Sequence, residues 1–518
     1  MNPKKHFEKP ASAAALGTVL LGILIHLFGL TSTAGNYDNI AFMPQAYGVG
    51  LKSGRWMLTL LGDLMENWGF GWNLPWFNGL ISFCLLGAAV YLLVELFEIR
   101  SRVLAVLLGG LFVAFPAMTS TMFFRYTTPY YCLAILFSVL AAYVVVGTKL
   151  PYAVRTLLSV VLTACSLGIY QAYLPITISI FVLFLMKKLL TEENTPWYRH
   201  VYHGIYLCVC LALGVIAYFV ILNIFLKVQN MTLTGYQNIS SAGKINLMEL
   251  PQMVSRAIGT IFWLPEKNVF SLSPLPFLTR VYEVLGVFTL ALVIFLLVQK
   301  KMKPLQTLLF LVLCGLYPLS AAFIVVMCYH SALYTIMMYG IVMIFPFPIV
   351  IYEALPREGR ETLRTFFRKG LVLLLGLVLF CYFYVADLNY TAMYYSNRQA
   401  ENFYSSVVTQ VRMTEGFTAD KRWALVGFPK DPLLKNKWQD IDALGGFGPS
   451  DRLVGAYSRI DWIENYVGYS VRYVEAEDAK KLLQTAPVQA MPCWPDQGSI
   501  QVIDDMVVVK FSDDFGEE

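Results

Sequence analysis

The sequence predicts a polytopic α-helical membrane protein that carries an extracytoplasmic α/β domain at its C-terminal end. Hydrophobic residues make up 57% of the 518 residues and charged residues only 14%, against roughly 25% charged residues in a soluble domain. About eleven apolar stretches precede residue 387, and the residues after them have a more acidic composition. These observations predict a transmembrane domain at 1–386 and an outer domain at 387–518.

The predicted transmembrane helices follow one another along the first domain. About 20 apolar residues cross a hydrocarbon core of about 30 Å, because an α-helix rises about 1.5 Å per residue. The fifth and sixth stretches form one apolar run in which residues 170–175 offer a turn, and a single helix kinked at Pro175 is the alternative. The stretches lie near 12–34, 76–97, 103–120, 130–147, 153–170, 172–186, 201–226, 281–298, 304–328, 332–352 and 371–386.

Basic residues indicate the orientation of these helices. With the N-terminus inside, the inner segments contain 18 of the 26 Lys and Arg residues before residue 387, as expected for cytoplasmic loops. If the fifth and sixth stretches were one helix, later basic clusters such as 300–303 would lie outside. We therefore predict eleven separate spans, with the N-terminus inside and the C-terminal domain outside.

Three long segments then lie on the outer side: the loops 35–75 and 227–280, and the tail. Within the first loop, apolar residues between positions 57 and 65 recur at helical spacing and predict an amphipathic helix along the membrane surface. The tail contains 13 Lys and Arg against 20 Asp and Glu. Its β-type runs 423–428 and 506–511, with helical patterns near 397–413 and 476–484, predict a small α/β domain.

Asp38 is the most informative single residue, because it follows the first apolar stretch at the predicted membrane–water boundary. A carboxylate at this depth can accept a proton from a hydroxyl group that reacts with a lipid head group. The alternative role for Asp38 is to cap the amphipathic helix that follows, since Asp is a favourable N-cap residue.

Polar residues cluster at the outer ends of the spans, whereas the middles of the spans contain almost no charge. Transporters place ionisable residues near the bilayer midplane, so this distribution favours chemistry at the outer face. The sequence contains no P-loop, dinucleotide-binding glycine pattern or zinc-ligand spacing. The clustered residues are His26, Asp38, Arg55, Asp63, Glu66, Arg125, Lys267 and His330.

The chain resembles the bacterial type II glucosyltransferases, which are membrane enzymes of the GT-C-like class associated with O-antigen modification. The resemblance implies a multi-pass protein of the bacterial cytoplasmic membrane that uses a polyprenyl-phosphate (undecaprenyl) glucose donor. Many members carry two adjacent acids in the first outer loop, whereas the second position here is Asn39. The resemblance rests on Asn36-Tyr37-Asp38-Asn39, Ser53-Gly54-Arg55-Trp56, Leu167-Gly168-Ile169-Tyr170-Gln171-Ala172 and Met491-Pro492-Cys493-Trp494-Pro495, followed by Gly498-Ser499-Ile500.

The resemblance also implies roles for individual residues. Asp38 would be the general base of an inverting transfer. Cations bind the leaving phosphate, and Arg does so in bidentate fashion; the candidates are Arg55, Arg125, His330 and Lys267. Aromatic side chains that could contact the sugar or the lipid are Tyr126, Tyr130, Tyr131 and Trp263.

The implied reaction moves a sugar, glucose by resemblance, from the polyprenyl-phosphate donor to a cell-surface glycan. The partners are this donor, the glycan acceptor and membrane lipid, with no nucleic acid. No cofactor or metal ligand is assigned, and a divalent metal stays an open option because the first outer loop offers one clear acid. Two alternatives remain, a flippase or exporter of lipid-linked sugar and a non-catalytic membrane scaffold. All proposed site residues precede residue 387, so the outer domain is predicted to be an acceptor-side or regulatory module.

Overall fold

The computed structural model describes residues 9–41, 50–192, 194–234, 246–261, 275–300, 302–331, 333–356, 361–429 and 458–514. The chain divides into two compact units. Among the described residues, the first unit contains 9–31 and 50–387, and the second contains 32–41, 388–429 and 458–514. The segment around Asp38 therefore groups with the C-terminal part of the chain.

Every regular element among the described residues of the first unit is helical. Short 3₁₀ turns, Leu51–Ser53, Gln171–Tyr173 and Leu247–Glu249, connect some helices, and a longer one covers Thr335–Ile344. The α-helices are α1 (Pro10–Ile25), α2 (Leu27–Thr31), α4 (Trp56–Asn67), α5 (Pro75–Phe97), α6 (Arg102–Ala114), α7 (Pro116–Phe123), α8 (Thr128–Gly147), α9 (Tyr152–Ile169), α10 (Leu174–Thr191), α11 (Trp197–Val228), α12 (Leu250–Ile261), α13 (Pro276–Lys300), α14 (Pro304–Ala321), α15 (Phe323–Met327) and α16 (Pro346–Glu353), with α3 (Tyr37–Ala41) in the second unit.

Several helices begin at a proline. Pro75, Pro116, Pro304 and Pro346 each occupy the first turn of a helix. Proline is favourable there because the first turn has no intrahelical partner for its N–H, and the ring fixes a helical φ. The helix starts are therefore encoded locally.

The packing of the first unit brings α4, α9, α10 and α11 together. Helix α9 packs against both α8 and α11, and the amphipathic helix α4 packs against α9. Helices in a membrane associate mainly through close van der Waals packing of this kind, because lipid is as apolar as their side chains. The buried side chains that join these helices are Leu51, Trp56, Ala164, Leu167, Leu174, Tyr218, Leu222 and Leu226.

The structure differs from the predicted eleven spans in where helices break. Within the described residues, nine helices are long and apolar enough to cross a membrane, or ten if the bent pair α6 and α7 is one span. Helices α6 and α7 meet at an angle of 45°. The first predicted span is broken after α1 at His26, whose Nε2 lies 2.9 Å from the carbonyl oxygen of Val113.

The apolar run at 153–186 forms two helices. Helix α9 ends at Ile169, and α10 begins at Leu174 after the 3₁₀ turn Gln171–Tyr173. Each of the two segments is long and apolar enough to cross a membrane. The turn lies before Pro175, which occupies the first turn of α10 rather than kinking a continuous helix.

Helix α17 (Glu361–Met413) is a single helix of 53 residues. The sequence predicts a span at 371–386 and a separate helix near 397–413, but no glycine or proline interrupts residues 377–413. The helix therefore continues, and the boundary between the two units, at Asp387 and Leu388, falls inside it.

The second unit contains a three-stranded sheet in the order β1–β3–β2. Strand β1 (Arg422–Val426) pairs in parallel with β3 (Met506–Lys510), and β2 (Ile500–Ile503) pairs with β3 as an antiparallel hairpin. Three short helices accompany the sheet: α18 (Arg459–Asp461), α19 (Ala476–Leu482) and α20 (Ala486–Ala490). A π-helical turn, Trp462–Val467, continues α18. The buried core consists of Ala424, Val426, Val488, Met491 and Val508.

Candidate functional site

Arg55 lies between a 3₁₀ turn and helix α4 in the first unit. Its Nη1 donates a hydrogen bond to Tyr131 Oη at 3.2 Å, and its guanidinium carbon lies 4.9 Å from the centroid of the Tyr170 ring. The rings of Tyr131 and Tyr170 stack with centroids 4.6 Å apart. A cation over an aromatic face is stabilised by the ring quadrupole, so this pair orients the guanidinium.

The backbone before Arg55 is fixed by side chains from distant helices. Gln171 Nε2 donates to the carbonyl oxygen of Ser53 at 3.0 Å and to Tyr218 Oη at 2.9 Å. Tyr218 Oη in turn donates to the carbonyl oxygen of Gly54 at 3.0 Å. Gly54 has a φ of +79°, in the left-handed region that favours glycine. Both carbonyl groups that precede Arg55 therefore accept hydrogen bonds from side chains of distant elements.

A close contact between α4 and α9 fixes the start of α4. A Cβ atom on Gly168 would lie 2.5 Å from a ring atom of Trp56, so only glycine admits the indole at this position. Trp56 also stacks against Phe225 of α11, with ring centroids 5.8 Å apart. Two of the stretches that carry the family resemblance, 53–56 and 167–172, thus contact each other.

The aromatic cluster behind Arg55 consists of Tyr131, Tyr170, Tyr173 and Tyr339. Tyr173 contacts both Tyr170 and Tyr339 edge to face, with centroids 5.3 and 6.0 Å apart. Each of the four side chains is no more than 5% exposed. The rings therefore form a buried wall that supports Arg55.

Arg125 and His330, two other predicted phosphate ligands, lie in different surroundings. Arg125 follows α7 and is 6% exposed, and its carbonyl oxygen accepts a hydrogen bond from Asn78 Nδ2 at 2.9 Å. His330 Nε2 lies 2.8 Å from a carboxylate oxygen of Glu249. A phosphate at His330 would compete with this carboxylate. Nearby, Arg256 Nη1 donates to the carbonyl oxygen of Tyr329 at 3.2 Å.

The other predicted aromatic contact residues and the predicted phosphate ligand Lys267 divide into two groups. Tyr126 is buried against Phe124, with ring centroids 6.4 Å apart. Tyr130 is also buried and lies within electrostatic range of Glu66 in α4. Trp263 and Lys267 lie outside the described residues, so their roles stay predictions.

Asp38 lies in the second unit, in the first turn of the five-residue helix α3, and is half-buried. The side chain of Asn36 caps this helix, because its Oδ1 accepts a hydrogen bond from the N–H of Asn39 at 2.8 Å. The amphipathic helix α4 is preceded directly by Arg55. The hypothesis that Asp38 caps the amphipathic helix is therefore wrong.

A polar cavity of about 440 Å³ lies at the C-terminal ends of α5, α8 and α10. Its two lysines are paired: Lys187 Nζ lies 3.0 Å from Glu98, and Lys188 Nζ lies 3.7 Å from Glu192. Carboxylates therefore lie beside both cations of this cavity. In the part of the chain that the structure describes, no three His, Cys, Asp or Glu side chains are arranged as metal ligands.

Sequence reasoning did not identify Gln171 and Tyr218 as parts of a site. The signals that could have found them are weak: a Gln in an apolar turn, and a Tyr inside the apolar helix α11. They matter because they bind backbone carbonyl groups far away in the sequence. Gln171 binds that of Ser53, 118 positions away, and Tyr218 binds that of Gly54, 164 positions away.

Comparison with known proteins identifies a family. The family model described as glucosyl transferase GtrII matches residues 27–345, more than half of the chain. The match includes Asp38, Arg55 and the turn at Tyr170. Searches of curated proteins and of solved structures found no match. The chain therefore belongs to the GtrII glucosyl transferase family, and it is a membrane protein with glucosyltransferase activity.

Proposed function

We propose that the protein transfers glucose from a polyprenyl-phosphate donor to a cell-surface glycan at the outer face of the bacterial cytoplasmic membrane. Family membership supports glucosyl transfer, and the apolar helices are in keeping with a donor that is anchored in the membrane by its lipid. The observation that carries the proposal is the arrangement at Arg55. An arginine beside a buried aromatic wall, on a backbone clamped by Gln171 and Tyr218, suits a fixed phosphate ligand.

The proposed reaction inverts the configuration at the anomeric carbon. The hydroxyl oxygen of the acceptor attacks C1 of the sugar, and the bond between C1 and the phosphate oxygen breaks. The electron pair of that bond leaves with polyprenyl phosphate. The carboxylate of Asp38 takes the hydroxyl proton as the new glycosidic bond forms.

Arg55 supplies the positive charge that the leaving phosphate requires. A guanidinium binds two phosphate oxygens at once, and a preorganised cation stabilises the charge that develops in the transition state. Arg125 is the second proposed phosphate ligand, with Lys267 and His330 as further candidates. Tyr126, Tyr130, Tyr131 and Trp263 are proposed to line the path of the sugar and the lipid.

The substitution Asp38→Asn tests the general base. It preserves the size of the side chain and removes the proton acceptor, so the rate should fall by about 10²- to 10⁴-fold. The measurement is movement of radiolabelled glucose from polyprenyl phosphate to glycan by purified protein in vesicles without an ion gradient. Equilibrium binding of the donor should stay close to the wild-type value.

Arg55→Ala should show the complementary result, with weaker donor binding as well as slower transfer. Lys52→Ala is the matched control, because Lys52 is an exposed cation three positions earlier and its loss changes the net charge equally. Wild-type transfer by Asp38→Asn would refute the base. Movement of intact donor lipid across the vesicle membrane without glycosyl transfer would instead support the flippase.

A further inference from the structure

We propose that the C-terminal part of the chain contributes a positioning residue, Asn397, that holds the backbone carrying Asp38. The inference rests on the proposed function, because it assigns Asn397 a role through the general base. It also revises the predicted division of labour, in which residues after 387 had no part in the chemistry.

Asn397 and Gly35 form a reciprocal pair of hydrogen bonds. The N–H of Gly35 donates to Asn397 Oδ1 at 3.1 Å, and Asn397 Nδ2 donates to the carbonyl oxygen of Gly35 at 2.9 Å. Gly35 lies three positions before Asp38. Only a primary amide side chain offers a donor and an acceptor together in this way.

The amide of Asn397 is itself fixed. Its Nδ2 also donates to the carbonyl oxygen of Met393, one turn earlier in α17, at 2.9 Å. The side chain is 6% exposed, so water does not compete for these bonds. The side-chain amide of Asn397 is therefore held in the orientation that binds the backbone of Gly35.

A second anchor acts two positions before Gly35. Tyr466 Oη donates to the carbonyl oxygen of Thr33 at 3.1 Å. Tyr466 belongs to the π-helical turn Trp462–Val467, which packs against α3, and its ring contacts that of Trp462 with centroids 4.4 Å apart. Trp462 is fully buried, so the ring of Tyr466 packs against a fixed side chain.

These anchors matter because α3 cannot position Asp38 by its own stability. The helix has five residues, far fewer than the roughly 12–15 that an isolated helix needs to be even marginally stable in water. A catalytic group displaced by about 1 Å can cost 10²-fold in rate. The placement of Asp38 therefore depends on hydrogen bonds from residues after position 387.

The test compares Asn397→Leu and Asn397→Asp with Asn402→Leu. The first variant removes donor and acceptor, the second removes only the donor, and Asn402 is an exposed asparagine on the same helix. We expect the two Asn397 variants to lower kcat by about 10- to 100-fold. The KM for polyprenyl-phosphate glucose should change by less than about 2-fold in both variants, since phosphate binding is unaffected, and the Asn402 control should match the wild type.

A double-mutant cycle separates positioning from a general loss of structure. If Asn397 acts through Asp38, Asn397→Leu should lower the residual rate of the Asp38→Asn variant no further. Equal fold-losses in both backgrounds would overturn the inference. A wild-type kcat in folded Asn397→Leu would overturn it too and leave the proposed function intact, whereas a silent Asp38→Asn would refute the base itself.

A variant with a smaller structural change keeps the test decisive if Asn397→Leu does not fold. Tyr466→Phe keeps the ring beside Trp462 and removes one hydrogen bond to Thr33. It should lower kcat by about 3- to 10-fold, as expected for one hydrogen bond, with KM for the donor unchanged. An unchanged kcat in Tyr466→Phe would then overturn the inference.

Discussion

Arg55 and Asp38 each depend on hydrogen bonds to residues far away in the sequence. The carbonyl groups before Arg55 are held by Gln171 and Tyr218, and the backbone before Asp38 is held by Asn397, 362 positions from Gly35. Each partner is a neutral polar side chain that binds backbone atoms. Such bonds fix the backbone that carries each charged group, which suits a phosphate ligand and a proton acceptor.

Asp461 offers a prediction at the level of a single titratable residue. Burial, with a smaller effect from Glu464, raises the pKa of the Asp461 carboxyl to about 6 from an ordinary value of 3.8. The folded state therefore binds the proton more tightly than the unfolded state. The resulting stabilisation is complete below pH 3.8 and is lost as the pH rises to about 6.

Asp461→Asn should therefore stabilise the protein at pH 7.5, by about 1 kcal/mol after allowance for solvent screening of a half-buried carboxylate. The gain should be nearly absent at pH 4. The measurement is the midpoint of thermal unfolding of the purified full chain in detergent at both pH values. Asp496→Asn, at an exposed aspartate, is the control and should show no such difference. An equal shift at both pH values would contradict the assignment.

Helix α9 and the turn after it bring the parts of the candidate site together. The helix ends at Ile169, so Tyr170 and Gln171 leave the helical path and reach Arg55 and Ser53. One position before Ile169, Gly168 admits the ring of Trp56. The close contact between α4 and α9 therefore requires a glycine at position 168.

Gly168→Ala should weaken this contact, because the new Cβ would lie 2.5 Å from the indole of Trp56. We expect a loss of about 1–3 kcal/mol of stability, as for other overpacked interiors, together with weaker donor binding. Thermal unfolding and equilibrium donor binding measure the two effects. Gly315→Ala in α14 is the matched control, since no atom lies within 4 Å of its added Cβ. If both variants behave alike, the close contact does not limit the site.

The orientation of the whole molecule in the membrane stays a prediction from its basic residues. The first 386 residues carry a net charge of +12, and their Lys and Arg concentrate in alternate connections. The C-terminal 132 residues contain 20 Asp and Glu against 13 Lys and Arg. Because basic loops are expected on the cytoplasmic side, this distribution predicts that the C-terminal domain lies outside.

Single cysteines test this orientation in intact cells. In a background in which all nine native cysteines are replaced by serine, a cysteine at the exposed Asp420 should react with a membrane-impermeant thiol reagent, and one at the exposed Lys303 should not. Permeabilised cells provide the control, because both positions should react there. If only position 303 were labelled in intact cells, the topology would be opposite to the predicted one, with the C-terminal domain in the cytoplasm.

The sequence by itself determined the class of the protein and most of its local elements. Apolar length and charge predict membrane helices, and the runs 423–428 and 506–511 correspond to β1 and β3. The pattern near 476–484 corresponds to α19. The family that these stretches suggested was confirmed by a match over residues 27–345. These features are readable because periodicity, proline and composition act over neighbouring residues.

Only the tertiary structure decided which distant residues meet. It continued α17 past the predicted boundary and paired His330 with Glu249. It also joined Gly35 to Asn397. A hydrogen bond between residues 362 positions apart depends on how the whole chain packs, and it leaves no periodic or compositional trace near either partner. The placement of the candidate base was therefore beyond local sequence patterns.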